Sequence, residues 1–210
     1  MKDLYIVGAG GFGREVLNLV LDIHAIAGPR WNIMGFLDDT EDPLQNKTCD
    51  FSVVGSIVDY SPKPNDVLAL AIGNPADKRK LASMLTARGA KFETIIYPYA
   101  NLGRHNTLGE GCIVCGGTGM TVNITIGNFV TLLSCGLGHD VRIGDYSTIS
   151  PICNIMGNVT LGEGVFLGGN SVIAPHTHIG NNAYVCIGSI VIKDVPVGAK
   201  VMGNPAREIG

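Results

Sequence analysis

From about residue 102 an aliphatic side chain recurs at every sixth position. The series runs through Leu102, Leu108, Val114, Met120, Ile126 and Leu132, slips, and resumes at Ile143. It continues through Ile149, Ile155, Leu161, Leu167, Ile173, Ile179, Val185, Val191 and Val197. Glycine often follows at once, as in Leu108-Gly109, Ile126-Gly127 and Leu161-Gly162. A period of six suits neither an amphipathic helix nor a hairpin meander. It predicts a short strand and a turn repeated around a triangular coil of about 18 residues, with aliphatic side chains stacked inside and strands about 4.8 Å apart. Glycine, Asn and Asp meet the backbone demands of the corners. The parallel β-helix so predicted occupies 96–210.

Residues 1–95 follow a different pattern. Leu4-Tyr5-Ile6-Val7 is an apolar strand, Gly8 to Gly13 a glycine turn, and Arg14 to Ile26 carries a helical spacing of apolar residues. A second strand, Ile33 to Leu37, ends at Asp38-Asp39. A third, Asp66 to Ile72, is followed by Gly73-Asn74-Pro75 and a helical stretch from Ala76 to Arg88. Strands alternating with helices predict a small, Rossmann-like parallel α/β domain. Gly8-x-Gly10-x-x-Gly13 has the dinucleotide spacing and lies between a strand and a helix, where glycines let backbone N–H groups approach a phosphate. Gly11 lies in the same turn, and Asp38, Asp39, Gly73 and Asn74 fall at neighbouring strand ends. About 95 residues is half of a usual dinucleotide domain, which favours one nucleotide over a whole dinucleotide.

Composition narrows the partners. The chain is 46% hydrophobic and 16% charged, yet no apolar run approaches the roughly 20 residues of a membrane span. The start lacks a signal-peptide pattern, so a cytoplasmic protein is expected. A net charge of −3 without a basic cluster argues against nucleic acid. Cys112-x-x-Cys115 has no second CxxC partner, and buried reduced thiols are expected there.

The run Gly8-Ala-Gly-Gly-Phe-Gly-Arg-Glu-Val16, then Gly35-Phe36-Leu37-Asp38-Asp39, then Ala71-Ile72-Gly73-Asn74, and finally hexads enclosing Gly138-His139-Asp140, extends over nearly the whole chain. This combination resembles the sialic-acid O-acetyltransferase and UDP-4-amino-sugar N-acetyltransferase family. The resemblance implies a left-handed helix, although right-handed crossovers are the general rule. It also implies a homotrimer with active sites between prisms, acetyl-CoA as cosubstrate, and a sugar nucleotide held by Gly8, Gly10, Gly11, Gly13, Asp38, Asp39, Gly73 and Asn74.

Between Leu132 and Ile143 the hexad series is one residue short, which points to a register break at His139. Acyl transfer from a thioester to an amine or hydroxyl requires removal of a proton, and histidine, with an ordinary pKa near 6.5, suits that task. The resemblance makes His139 the general base and Asp140 its orienting carboxylate. It puts the oxyanion donor at Gly157 and extends the coenzyme path through Thr148, Gly169, Ile187, Gly188, Lys193 and Pro205. Two positions depart from the family pattern: Leu132 replaces an asparagine, and Thr148 replaces a second histidine.

Three other readings compete. In a zinc-dependent γ-class carbonic anhydrase, His139, His176 and His178 would be ligands, but that class lacks the glycine-rich front end. A non-catalytic nucleotide-sugar-binding scaffold would keep the prism for assembly alone. Within acyl transfer, O-acetylation of sialic acid or another sugar hydroxyl competes with N-acetylation of a nucleotide-linked amino sugar. The latter gives the nucleotide domain a role, and no metal is expected in it.

Overall fold

In a computed structural model, which describes residues 1–209, the chain opens with β1 (Lys2–Val7), α1 (Gly11–Ala27), β2 (Trp31–Leu37), β3 (Val53–Gly55), β4 (Asp66–Leu70) and α2 (Pro75–Ala87). The four strands form a parallel sheet in the order β3-β2-β1-β4. Alternate side chains serve opposite faces. Leu4, Ile6, Val67 and Ala69 pack with Val16, Leu17, Val20 and Ile23 of α1. Val7, Leu68 and Leu70 pack with Ala82 and Leu85 of α2. Gly28, at φ 82°, ends α1, a conformation open to glycine. Asn74 caps α2 by accepting from the N–H groups of Ala76 and Asp77, with Pro75 at the first helical position.

Beyond α2 the chain winds into a parallel β-helix with sheets of eight, six and five strands. The first face contains Ile113–Val114, Thr131–Leu132, Thr148–Ile149 and Phe166–Leu167. The second contains Gly119–Met120, Gly136–Leu137, Asn154–Ile155 and Val172–Ile173. The third contains Thr125–Ile126, Arg142–Ile143 and Thr160–Leu161. The second residue of each pair is buried in a single aliphatic core, each such side chain contributing roughly 1.5–3 kcal/mol of burial.

Partner residues in successive coils are 18 apart in most rungs, such as Thr107 with Thr125. They are 17 apart where Thr131 meets Thr148, Gly119 meets Gly136 and Thr125 meets Arg142. The missing residue is therefore not at His139. Leu137 stacks normally between Met120 and Ile155, so the short corner is the one from Leu133 to Cys135, five positions separating Leu132 from Leu137. Two adjacent leucines, 132 and 133, leave the stacking choice open in the sequence. Val197 is also out of register. It is 71% exposed, whereas Val195 and Val201 are buried, because the last coil is shortened and Ile179 bridges to Val195.

Most corners carry one residue at positive φ, including Asp140, Asn158, Asn170 and Asn182. Ile152 adopts the same conformation at φ 64°, which is unusual for a β-branched side chain. The helix ends with Lys200–Gly203, parallel to the coil beneath and paired antiparallel with Ala206–Glu208. All six cysteines are free. Burial pushes the Cys112 and Cys115 thiols up to about 11, which keeps them protonated and unreactive near neutrality. Among the described residues no helix is long and apolar enough to cross a membrane.

Candidate active site

His139 and Asp140 form the corner between the second and third faces. Asp140 adopts φ 60°, a conformation its short polar side chain tolerates. The turn swings its carboxylate beside the imidazole, and Oδ2 lies 2.8 Å from His139 Nδ1. With the proton on Nδ1 donated to that carboxylate, Nε2 has its lone pair available. Gly157 lies one coil on, directly beneath the ring. A β-carbon there would be 2.5 Å from Nε2, so only glycine leaves the ring its place. Among the described residues the Gly157 N–H has no acceptor.

His139 edges a groove of about 680 Å³ along the second face, which Gly119 and Gly136 deepen and Met120, Val122 and Met156 line. The side chains of His139 and Asp140 are 58% and 46% exposed, so a single chain leaves one side of this site open to water.

The residues expected along the coenzyme path divide into separate groups. Lys193 lies on the His139 corner, three coils on, in a recess of about 300 Å³ against Arg207 and Glu208, whereas Pro205 follows Gly203, whose N–H donates to Ser189 Oγ on the opposite edge. Gly169, Ile187 and Gly188 lie on the opposite edge of the second face, and Ile187 is 73% exposed. Thr148 departs from expectation. It is buried on the first face, and its hydroxyl donates to the Gly73 carbonyl at 2.8 Å while accepting from Lys78 Nζ at 2.8 Å. Both of its hydrogen-bonding roles are filled at the domain junction, on a face other than the one that bears the groove.

The expected nucleotide residues gather at the carboxyl ends of β1, β2 and β4, where the strand order reverses and α/β sheets bind ligands. Gly8, Asp38, Asp39, Ile72, Asp77 and Lys80 line a cleft of about 380 Å³ there. The glycines have distinct roles. A β-carbon on Gly13 would lie 1.9 Å from the Gly8 carbonyl oxygen, so Gly13 permits the close packing of α1 on β1. Gly8 has φ 97°. Gly10 and Gly73 have open space where a side chain would be, and Gly11 nearly so. Asp38 accepts from the N–H groups of Ala9 at 2.6 Å and Thr40 at 2.7 Å. Asp39 Oδ1 is committed to Ser56 Oγ and the N–H of Ile57. Burial raises its pKa, but the hydrogen bonds outweigh this and hold it below the usual carboxylate value. Asp39 thus fixes a loop and retains only Oδ2 for a ligand.

Lys78, on α2, has no counterpart in the expectations drawn from sequence. It is buried, and Nζ reaches Thr131 Oγ1 at 2.9 Å, Thr148 Oγ1 at 2.8 Å and the Ser147 carbonyl at 3.3 Å. Burial lowers its pKa to about 7, with Cys112 opposing. Its neighbour Arg79 lies 4.6 Å over the Tyr146 ring and pairs with Glu163 at 3.1 Å. Among the described residues no group of three or more His, Cys, Asp or Glu side chains is arranged to hold a metal ion.

Comparison with known proteins matches residues 3–85 to the PglD N-terminal domain and residues 140–175 to the bacterial transferase hexapeptide, six repeats. WeeI from Acinetobacter baumannii AYE is 30% identical, with full coverage of both chains and a TM-score of 0.86. The acetyltransferase domain of PglB from Neisseria gonorrhoeae FA1090 is 25% identical, with full coverage of both chains and a TM-score of 0.88; it is also known in complex with acetyl coenzyme A. GDP-perosamine N-acetyltransferase from Escherichia coli O157:H7 is 29% identical over 99% of this chain and 96% of its own. WeeI and the PglB domain share the fold of this chain, an α/β domain followed by a left-handed β-helix.

Proposed function

The chain belongs to the hexapeptide acyltransferase family, in the group whose prism follows a PglD N-terminal domain, and from that premise we propose that it transfers an acetyl group from acetyl-CoA to the amine of a nucleotide-linked amino sugar. The observation that carries this reading is His139, with Nδ1 tied to Asp140 and Nε2 directed over Gly157 at the edge of an open groove. Two relatives support the substrate classes by what they are and bind, GDP-perosamine N-acetyltransferase and the acetyl-CoA complex of PglB.

His139 Nε2 takes a proton from the attacking amine as its nitrogen closes on the thioester carbonyl. Asp140 stabilises the imidazolium so formed and keeps the ring in the tautomer that needs no turning. The free N–H of Gly157 is the donor for the carbonyl oxygen as it gains charge. His139 then returns its proton to the departing thiolate, which leaves amide and free coenzyme. Gly157 and Lys193 along one corner, and Gly169, Ile187, Gly188 and Pro205 along the other, would hold the coenzyme between prisms. Its thioester supplies the activated acetyl group.

Because the two corners flank one face, and because His139 is half open to water, the site is completed by a second protomer. A homotrimer satisfies this with closed symmetry. The nucleotide moiety occupies the cleft at Gly8, Asp38 and Asp39, with Gly10, Gly11 and Gly73 leaving room for phosphates and sugar. Both cosubstrates are charged molecules of the cytoplasm, where the reaction is placed.

The test is thiol release from acetyl-CoA by wild type and His139→Ala against GDP-, UDP- and dTDP-linked amino sugars and free sialic acid. Acceptor-dependent release that falls roughly 100- to 10,000-fold in the variant is expected. Nucleotide-sugar binding without release from any acceptor would overturn the acyltransferase reading in favour of a binding scaffold.

A further inference from the structure

Thr131 and Thr148 are partners in the ladder of the first face, and the 17-residue path between them is the short coil that carries His139. Lys78 Nζ bonds both hydroxyls, and so touches both ends of that coil. Once Thr148 Oγ1 accepts from Lys78, its own proton is directed to the Gly73 carbonyl, 2.8 Å away. Gly73 opens the turn whose Asn74 caps α2. A continuous set of hydrogen bonds therefore joins the lip of the nucleotide cleft to the coil bearing the candidate base.

From this geometry we propose that Lys78 is a positioning residue, which sets the height of the nucleotide cleft along the prism axis so that a bound sugar meets His139. The proposal rests on the acyltransferase reading. In a threefold assembly all prisms stand at one height, so a cleft registered on its own prism is also registered against a neighbour's His139.

Adhesion alone does not account for a lysine here. The junction already has an apolar contact in Phe92 edge-on to Phe129, with Tyr146 stacked beyond at 5.4 Å. Replacing a buried charge by an apolar group of similar volume is often neutral or stabilising. No carboxylate is among the hydrogen-bond partners of Nζ. What the amine adds is direction: its contacts with two hydroxyls and a carbonyl fit one arrangement of two coils and a helix.

The experiment compares Lys78→Met, Lys78→Arg and Thr148→Val with wild type, measuring melting temperature, trimer content, and kcat and KM for each substrate separately. Thr148→Val keeps the shape of the junction and removes the link to Gly73. For Lys78→Met, kcat/KM for the nucleotide sugar is expected to fall roughly 10- to 100-fold, as for a small misplacement of reacting groups. The KM for acetyl-CoA stays within about twofold and the fold persists. Thr148→Val moves the same parameter, its effect is not additive with that of Lys78→Met, and Lys78→Arg restores part of the loss. If Lys78→Met does not fold, Thr148→Val carries the same comparison. Unchanged acceptor kinetics in a folded variant, or equal changes for both substrates, would overturn the proposal. Calorimetric binding of nucleotide sugars to wild type separates the two readings: no binding and no turnover defeats the acyltransferase reading itself, whereas normal wild-type turnover with indifferent variants defeats only the role of Lys78.

Discussion

His139 and Gly157 meet across one coil, the imidazole resting where a β-carbon on the glycine would lie 2.5 Å from Nε2. Because the ring is on the surface, it would move aside for Gly157→Ala and the fold would persist. The ring would then no longer point along the groove. We expect kcat to fall about 100-fold, the scale of a misplaced catalytic group, with the melting temperature within about 2 °C of wild type. Steady-state kinetics and a thermal melt on the same preparation check this, and unchanged kcat would remove the ring orientation from the mechanism.

Asp140→Asn keeps a residue that tolerates positive φ, so the corner should persist. The substitution removes the charge facing the imidazolium and offers an N–H where Nδ1–H needs an acceptor. A loss of about 100- to 10,000-fold in kcat is expected, in line with carboxylates that orient a histidine base. A loss below fivefold would mean that Asp140 serves the turn alone.

The buried lysine also gives stability a particular pH course. Lys78 titrates near 10.5 when unfolded and near 7 when folded, so the unfolded chain binds the proton more tightly. Its contribution makes the fold more stable as pH rises from about 7 towards 10.5. The thiols have the opposite sign. Cys112, Cys115 and Cys135 stay protonated to about 11 or 12 when folded, against 9.0 unfolded, and their contribution falls as pH rises above about 9. Stability from these groups peaks near pH 9. Urea unfolding at a series of pH values should show a gain of up to about 1.4 kcal/mol per pH unit between 7 and 9, absent in Lys78→Met. A flat profile in wild type would contradict the assignment.

Two glycines of the same turn should respond in opposite ways. In Gly13→Ala the new methyl would meet the Gly8 carbonyl oxygen at 1.9 Å, forcing α1 from β1. A loss of roughly 2–4 kcal/mol is expected, comparable to overpacking a core. Gly10→Ala meets nothing within 4 Å and should cost under about 1 kcal/mol, while weakening nucleotide-sugar binding measured by calorimetry. Equal stability losses would show that both glycines serve packing.

Ile152 holds a left-handed backbone at an exposed corner where equivalent coils carry Asn170 or Gly188. Ile152→Asn relieves strain of about 1 kcal/mol and should raise the urea midpoint by a corresponding amount. A decrease would indicate that the isoleucine side chain is covered by a neighbouring protomer.

Much of this architecture is readable from residue order alone, because a hexad repeat is local: each Leu, Ile or Val declares its own inward position. The strand, glycine turn and helix of the first domain are local in the same sense, as is the His139–Asp140 pair. What escapes is relational. Lys78 looks like any polar residue of a helix until coils closing 53 and 70 positions later bring Thr131 and Thr148 against it. The same contact occupies the Thr148 hydroxyl, a second relation that residue order does not show. Val197 satisfies the hexad count but not the register, because the final coil is shorter. The three-residue strand β3 shows no alternation long enough to identify it.

The closing strand, Ala206–Glu208, reverses direction against Lys200–Gly203. A parallel solenoid is a template at its last rung, where unpaired amides invite another strand of the same polarity. The reversal means that the widest sheet presents a terminal strand of the wrong sense for a further coil. That edge is therefore a poor template for stacking a second prism end to end in the same sense.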